Sequence, residues 1–211
     1  MTMEKHYSAY FFDLGGTLLA LEQDEIACSE TGKVTLLPGV KDHLLPLRGT
    51  PVFVITNQAA VALGQLSEAT ARGFIDQINV AVGQVITDYR ICMHHPLAGC
   101  PCRKPQPGMV FDLARTHTIN LAQAVSIGDT TNDEQCAQLA GIGTFLWAHD
   151  FFHSVRLISQ HMLFFHPHHT NEGRQSEQKA FSLFSFLPHR RRKRESASNQ
   201  NLLCFKIIAW T

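Results

Sequence analysis

Tyr10-Phe11-Phe12-Asp13-Leu14-Gly15-Gly16-Thr17-Leu18 is the stretch on which the fold turns. The apolar run over 8–12 reads as a strand, and it ends on a carboxylate followed by a glycine turn. Outward from it, short β-rich runs at 51–56, 88–93, 124–127 and 144–146 alternate with helical patterns. The helices are expected at 39–47, at 67–82 behind an N-cap Ser67, at 107–117 with Pro107 near its first position, and at 132–140 before Gly141. Strands alternating with helices in this way predict an α/β fold with a doubly wound parallel sheet.

Ligands in such a fold bind beyond the carboxyl ends of the strands. All four populated ends are polar. After Asp13 come Thr56-Asn57-Gln58 at the second strand, a cysteine-rich loop carrying Arg103-Lys104-Pro105 at the third, and Gly128-Asp129-Thr130-Thr131-Asn132-Asp133 at the fourth. The loop opens with Cys92-Met93-His94 and closes with Cys100-Pro101-Cys102, so three thiols and an imidazole fall within eleven residues. Such a set suits a closed tetrahedral Zn2+, with no position left for water; the ion would hold backbone and would not catalyse. The plainer alternative is a loop of unpaired thiols. Cys28, Cys136 and Cys204 stand apart from this cluster, as does His95 from its ligand set.

The ordered motifs, an apolar strand into Asp-x-x-Gly-Thr-Leu, then Thr-Asn-Gln, Lys-Pro and Gly-Asp-x-x-x-Asp, resemble the haloacid dehalogenase (HAD) superfamily of phosphoryl-transfer enzymes. The loop Cys-x-His and Cys-x-Cys-Arg-Lys-Pro-x-Pro-Gly-Met is similar to the zinc-loop subfamily of heptose bisphosphate and histidinol-phosphate phosphatases. The resemblance spans roughly 8–148. It implies a HAD-like Rossmannoid sheet, no large cap domain and a structural zinc loop.

It also implies roles. Asp13 matches the nucleophile that forms an aspartyl-phosphate and so splits one hard step into two. Mg2+ would be held by Asp13, Asp129, the backbone carbonyl of Gly15, and Asp133, the last acting also as an orienter. Lys104 matches the cation that neutralises nucleophile and phosphoryl group, and Thr56 supplies a hydroxyl. Asn57, Arg103, Gly16 and Thr17 fall on the substrate side, Arg103 offering a planar fork to a second phosphate or a carboxylate. Zn2+ would take Cys92, His94, Cys100 and Cys102. Asp129 and Asp133 could instead serve only to cap the helix that follows them.

Two positions depart from the pattern. Gly15 stands where the phosphatases carry a second Asp, the general acid and base, whose loss costs about 100- to 10,000-fold in rate. After Gln58, Ala59-Ala60-Val61-Ala62-Leu63-Gly64 replaces a run that in the subfamily brings a serine and an arginine to the substrate side.

The net charge of zero hides an asymmetry: residues 1–150 carry nine Lys+Arg against fifteen Asp+Glu, residues 151–211 nine against three. The chain is therefore expected to comprise a phosphatase domain over 1–150 and a basic, His-rich extension over 151–211, disordered or poorly packed. The basic run at 190–194 is a nucleic-acid or nuclear-address pattern whose bland reading is a solvated segment. No apolar run is long enough for a membrane span, and Met1 to Tyr10 lacks the apolar core of a secretory signal. These features predict a cytoplasmic chain, expected to be a monomer, and the resemblance implies that it acts on a small phosphorylated metabolite of sugar-phosphate or histidinol-phosphate type. Neither membrane nor nucleic acid is an expected partner. A Mg2+-dependent phosphohydrolase is the first expectation, a catalytically impaired metal- and phosphate-binding relative the second, and a nucleic-acid-associated protein the third.

Overall fold

The computed structural model describes residues 6–23, 25–29 and 32–153. The basic run at 190–194 and His161, His166, His168 and His169 lie outside them. Its strands are β1 (Tyr10–Phe12), β2 (Leu21–Glu22), β3 (Glu25–Ile26), β4 (Val52–Asn57), β5 (Asp88–Cys92), β6 (Val125–Gly128) and β7 (Thr144–Trp147). The helices are α1 (Val40–Leu44), α2 (Ala59–Ala62), α3 (Glu68–Ala81), α4 (Gly108–His117), α5 (Thr131–Ala140) and α6 (Ala148–His153).

Five strands form one parallel sheet in the order β5-β4-β1-β6-β7. β1 lies at its centre and is covered on both faces, as a parallel sheet requires. The alternation of side chains along the strands divides the core in two. Phe12, Val52, Val54 and Ile127 pack with Phe74, Ile75 and Ile78 of α3, while Phe11, Phe53 and Ile55 pack with α4 and α5. Phe11 and Phe12 are both fully buried, which stabilises the fold by about 1.5–3 kcal/mol each. This packing fixes where the end of β1 lies, and therefore where Asp13 lies.

Helix termini follow local chemistry. Ser67 Oγ accepts from the Thr70 N–H at 3.0 Å and starts α3, whose Ala71, Phe74, Ile75 and Ile78 lie on one face at helical spacing. Thr130, and not Asn132, begins α5, through a capping box with Asp133; Gly141 at φ 74 ends it. Pro46 lies in a 3-10 turn, Leu45–Leu47, that cuts short the helix expected to 47.

All five expected sheet strands are present, with ends moved by one or two residues. Four of the labelled elements were not expected, β2, β3, α2 and α6. The β2–β3 hairpin has strands too short to show any period. α2 is one turn within the alanine-rich run. α6 crosses the expected division at 150, and its Phe151 packs edge-on to Phe12 with ring centroids 5.7 Å apart. Between β1 and α1 the described residues contain this hairpin and no cap domain. Among them, no helix is long and apolar enough to cross a membrane.

Candidate active site and zinc loop

The carboxyl ends of β1, β4 and β6 bring Asp13, Thr56 and Asp129 to one edge of the sheet, and the loop after β5 delivers Lys104 to the same place. Lys104 is 5 % exposed and makes three bonds, all that an ammonium can donate. Nζ donates to Asp13 Oδ1, to Asp133 Oδ1 at 2.6 Å and to the Ile55 carbonyl at 3.0 Å. Burial alone would lower the lysine pKa, but Asp13 and Asp133 outweigh it and hold it above the ordinary value. Lys104 is a fixed cation.

Asp133 has two tasks. One oxygen faces Lys104; the other accepts from the Thr130 N–H at 3.0 Å and Thr130 Oγ1 at 2.6 Å. It thus bonds the lysine and caps the helix at once. Asn57 works from the other side: its Oδ1 accepts from the Lys104 N–H at 3.0 Å and its Nδ2 donates to the Lys104 carbonyl at 3.1 Å. Its carbonyl and one amide N–H therefore serve the lysine backbone, leaving one N–H toward the cavity. Thr56, 2 % exposed, accepts from Gln58 Nε2 at 3.1 Å and keeps its own proton to donate.

Asp13, Asp129 and Asp133 can each bring one carboxylate oxygen within 4.8 Å of the others. Burial pushes Asp13 up to about 6 despite Lys104, and burial followed by the nearness of Asp133 raises Asp129. Three carboxylates against one ammonium leave an excess of negative charge, and a hard divalent cation with oxygen ligands would relieve it. The donors fit Mg2+. Thr17 Oγ1 orients Asp129 at 3.1 Å, and Gly16 makes room for it: at φ 78, a Cβ there would lie 2.1 Å from Asp129 Oδ2. Only glycine suits that position.

In the cysteine loop, Cys92 Sγ lies 3.6 Å from both His94 Nδ1 and Cys100 Sγ, while Cys102 Sγ lies 3.2 Å from His94 Nδ1 and 3.5 Å from Cys100 Sγ. A tetrahedron with Zn–S of about 2.3 Å and Zn–N of about 2.0 Å has edges of roughly 3.5–3.8 Å. The four donors fit that ion. Burial and the neighbouring Cys92 and Cys100 push the Cys102 thiol up to about 12, so the fully ionised set needs a cation among it.

A cavity of about 380 Å³ opens above Asp13, Thr56, Asn57, Lys104 and Asp133. Gly15 lines it and faces the β2–β3 hairpin. A Cβ on Gly15 would lie 2.9 Å from Leu21 Cδ2 and 3.9 Å from Ile26 Cγ1, so apolar side chains border the place of the missing carboxylate. Arg103 is not among the cavity's lining residues, and its buried Nη1 has no partner among the described residues. The sequence reading missed the apolar wall and Glu25, which also lines the cavity. No motif marks them, because the hairpin that carries them has no periodic signal.

Residues 101–168 match the family described as HAD-hyrolase-like. The D-glycero-beta-D-manno-heptose-1,7-bisphosphate 7-phosphatase of Rhodopseudomonas palustris is 38 % identical over 122 residues, covering 52 % of this chain and 67 % of that protein. Its counterpart in Photorhabdus laumondii is 30 % identical over 154 residues, covering 67 % of this chain and 80 % of that protein. This chain belongs to the heptose bisphosphate phosphatase family of the HAD superfamily. The crystal structure of the D,D-heptose 1,7-bisphosphate phosphatase of B. bronchiseptica, complexed with magnesium and phosphate, matches with a TM-score of 0.60 and 30 % identity over 66 % of this chain and 79 % of that one. Its relatives are phosphatases acting on a small sugar phosphate. For this HAD family member the fold and the ordered strand-end motifs therefore agree, and Gly15 lies at the cavity with an apolar surround.

Proposed function

We propose that this chain is a Mg2+-dependent phosphohydrolase of small phosphorylated metabolites, working through an aspartyl-phosphate at Asp13. The observation that carries the reading is the Lys104 ammonium joined to Asp13 and Asp133 on the floor of the cavity. Asp13, Asp129, Asp133 and the Gly15 carbonyl would hold Mg2+, which when bound supplies positive charge to the phosphoryl oxygens and relieves repulsion between phosphate and nucleophile. The magnesium and phosphate of the B. bronchiseptica structure support this.

Asp13 attacks phosphorus while Lys104 and the Thr56 hydroxyl bear on the charge developing on the transferring group. Asp133 and Asn57 act by fixing Lys104, one at its side chain and the other at its backbone. The Zn2+ of Cys92, His94, Cys100 and Cys102 would keep the loop that ends in Lys104 in one shape. A thiol-rich site of this kind suits a reducing, cytoplasmic setting, and the reading takes the chain as a monomer.

Phosphate release from sugar phosphates, histidinol phosphate and an aryl phosphate, with Mg2+, tests the reading. Turnover lost in Asp13→Asn is the expected result; no release by the unaltered chain from any of them defeats it. Gly15 favours a second reading, a binding protein that holds metal and phosphate without turning over. Saturable phosphate binding in a chain that releases none would be its signature.

A further inference from the structure

The cavity's wall carries information about the substrate beyond the phosphoryl group, on the footing that the chain is a phosphatase as proposed above. Three observations bear on it. First, the residue two beyond the nucleophile has no side chain, and the space it would use is bordered by Leu21 and Ile26. Thr56 can donate a hydrogen bond there, but the position two beyond the nucleophile holds no acid to give the leaving oxygen a proton; Asp13 is the nucleophile, and both oxygens of Asp133 are engaged by Lys104 and Thr130. Glu25 remains, but it pairs with Glu22 in the hairpin, one residue out of step with the Leu21–Ile26 pair. It lines the cavity from the hairpin, beside the Leu21–Ile26 pair that meets Gly15 and not at the Gly15 position itself.

Second, Lys104 is the single cation among the described residues that line the cavity, and it is matched by Asp13 and Asp133. Beyond the phosphoryl site the walls are Ala59, Ala60, Gln58 and Gln65, with Glu25 adding negative charge. A second phosphate would find no positive partner there. Third, Leu21, Ile26, Leu66 and Phe74 supply an apolar surface, with Leu21 42 % exposed at the hairpin.

We propose that the substrate is the monophosphate ester of an aryl or enol oxygen, carrying one phosphoryl group and seating its flat apolar part against Leu21, Ile26, Leu66 and Phe74. An Asp13 oxygen forms a bond to phosphorus as the ester P–O bond breaks, and the bonding pair leaves on the aryl or enol oxygen. That oxygen departs as the anion and takes a proton from solvent. Water then attacks phosphorus, the bond to Asp13 breaks, and the water's proton passes to solvent, leaving phosphate and the free hydroxyl compound. A phenol has a pKa of about 10, whereas a simple alcohol is close to water at about 15.7. Only the first leaves readily without a donor.

The test uses the full chain with saturating Mg2+ and compares kcat/KM for phenyl phosphate, ring-substituted phenyl phosphates of graded acidity, glycerol phosphate, a hexose monophosphate and a hexose bisphosphate. Phenyl phosphate should exceed glycerol phosphate by about 100-fold or more, in keeping with the absent acid, and the rate should rise steeply with the acidity of the leaving phenol. The hexose bisphosphate should be no better than the monophosphate. Gly15→Asp should flatten the acidity dependence and raise glycerol phosphate selectively, since Leu21 can swing aside at its free end. Equal rates on alkyl and aryl esters, or a preference for the bisphosphate, would overturn the substrate inference and leave the phosphatase reading intact. No phosphate from any ester would overturn both.

Discussion

Asp133 Oδ1 lies 2.6 Å from Lys104 Nζ while Oδ2 of the same carboxylate accepts from Thr130, so one side chain ties the lysine to the start of α5. Both groups are almost wholly buried. Lys104 keeps Asp13 as a partner when Asp133 is removed, so what is lost is the cap of α5 and one charged hydrogen bond, together worth about 1.5–3 kcal/mol. Asp133→Ala should therefore lose about that much in urea unfolding, together with at least a 100-fold fall in kcat. Asp133→Asn can still accept from Thr130 and should recover part of the stability but little of the rate. A variant with unchanged kcat would mean that Lys104 is held adequately without Asp133.

Gly16 governs the approach of Asp129. At φ 78 and with Asp129 Oδ2 only 2.1 Å from where its Cβ would be, Gly16→Ala must displace the carboxylate. Disturbing the support of a metal ligand commonly costs 10- to 100-fold in affinity, so the Mg2+ dissociation constant should rise by about that factor. Titration of Mg2+ by calorimetry reads this directly, and an unchanged constant would remove Asp129 from the metal site.

The sheet was legible because each strand is a compact apolar run ending on a polar group, and the strand-end residues Asp13, Thr56, Lys104, Asp129 and Asp133 do converge. Their partners were less visible. That Asn57 serves the Lys104 backbone depends on side-chain direction between positions 47 residues apart, which no local pattern encodes. The hairpin holding Leu21 and Ile26 consists of two-residue strands, below the length at which alternation is readable. The resemblance placed Arg103 on the substrate side with a planar fork to offer, but neighbouring residues on an irregular loop need not face the same way, and it does not line the cavity.

The four donors of the cysteine loop lie within 4.8 Å of one another, and the loop leads within two residues to Lys104. Metal analysis of the purified chain should give one Zn2+ per chain, and Cys100→Ser should lose it. Because Lys104 is also tied to Asn57 and Asp133, the loss should lower kcat by about tenfold to 100-fold, by analogy with loss of a metal's supporting groups, with the sheet intact by far-UV circular dichroism. Zinc retained in full by Cys100→Ser would show that the ion does not depend on this thiol.

Burial places Asp13 at about 6, above its ordinary 3.8, so the metal-free fold favours the protonated carboxyl. The sign follows from that direction: this group's contribution to stability is fully present below 3.8 and is lost as pH rises through about 6. Mg2+ must displace that proton, so its binding strengthens over the same interval. For one proton released per ion, the fraction of ionised Asp13 changes about tenfold between pH 5 and pH 7, and the Mg2+ dissociation constant should be about tenfold weaker at pH 5. Asp13→Asn should bind Mg2+ more weakly and without that dependence. A constant that does not move between these two pH values in the unaltered chain would place Asp13 outside the metal site or show it already ionised in the metal-free protein.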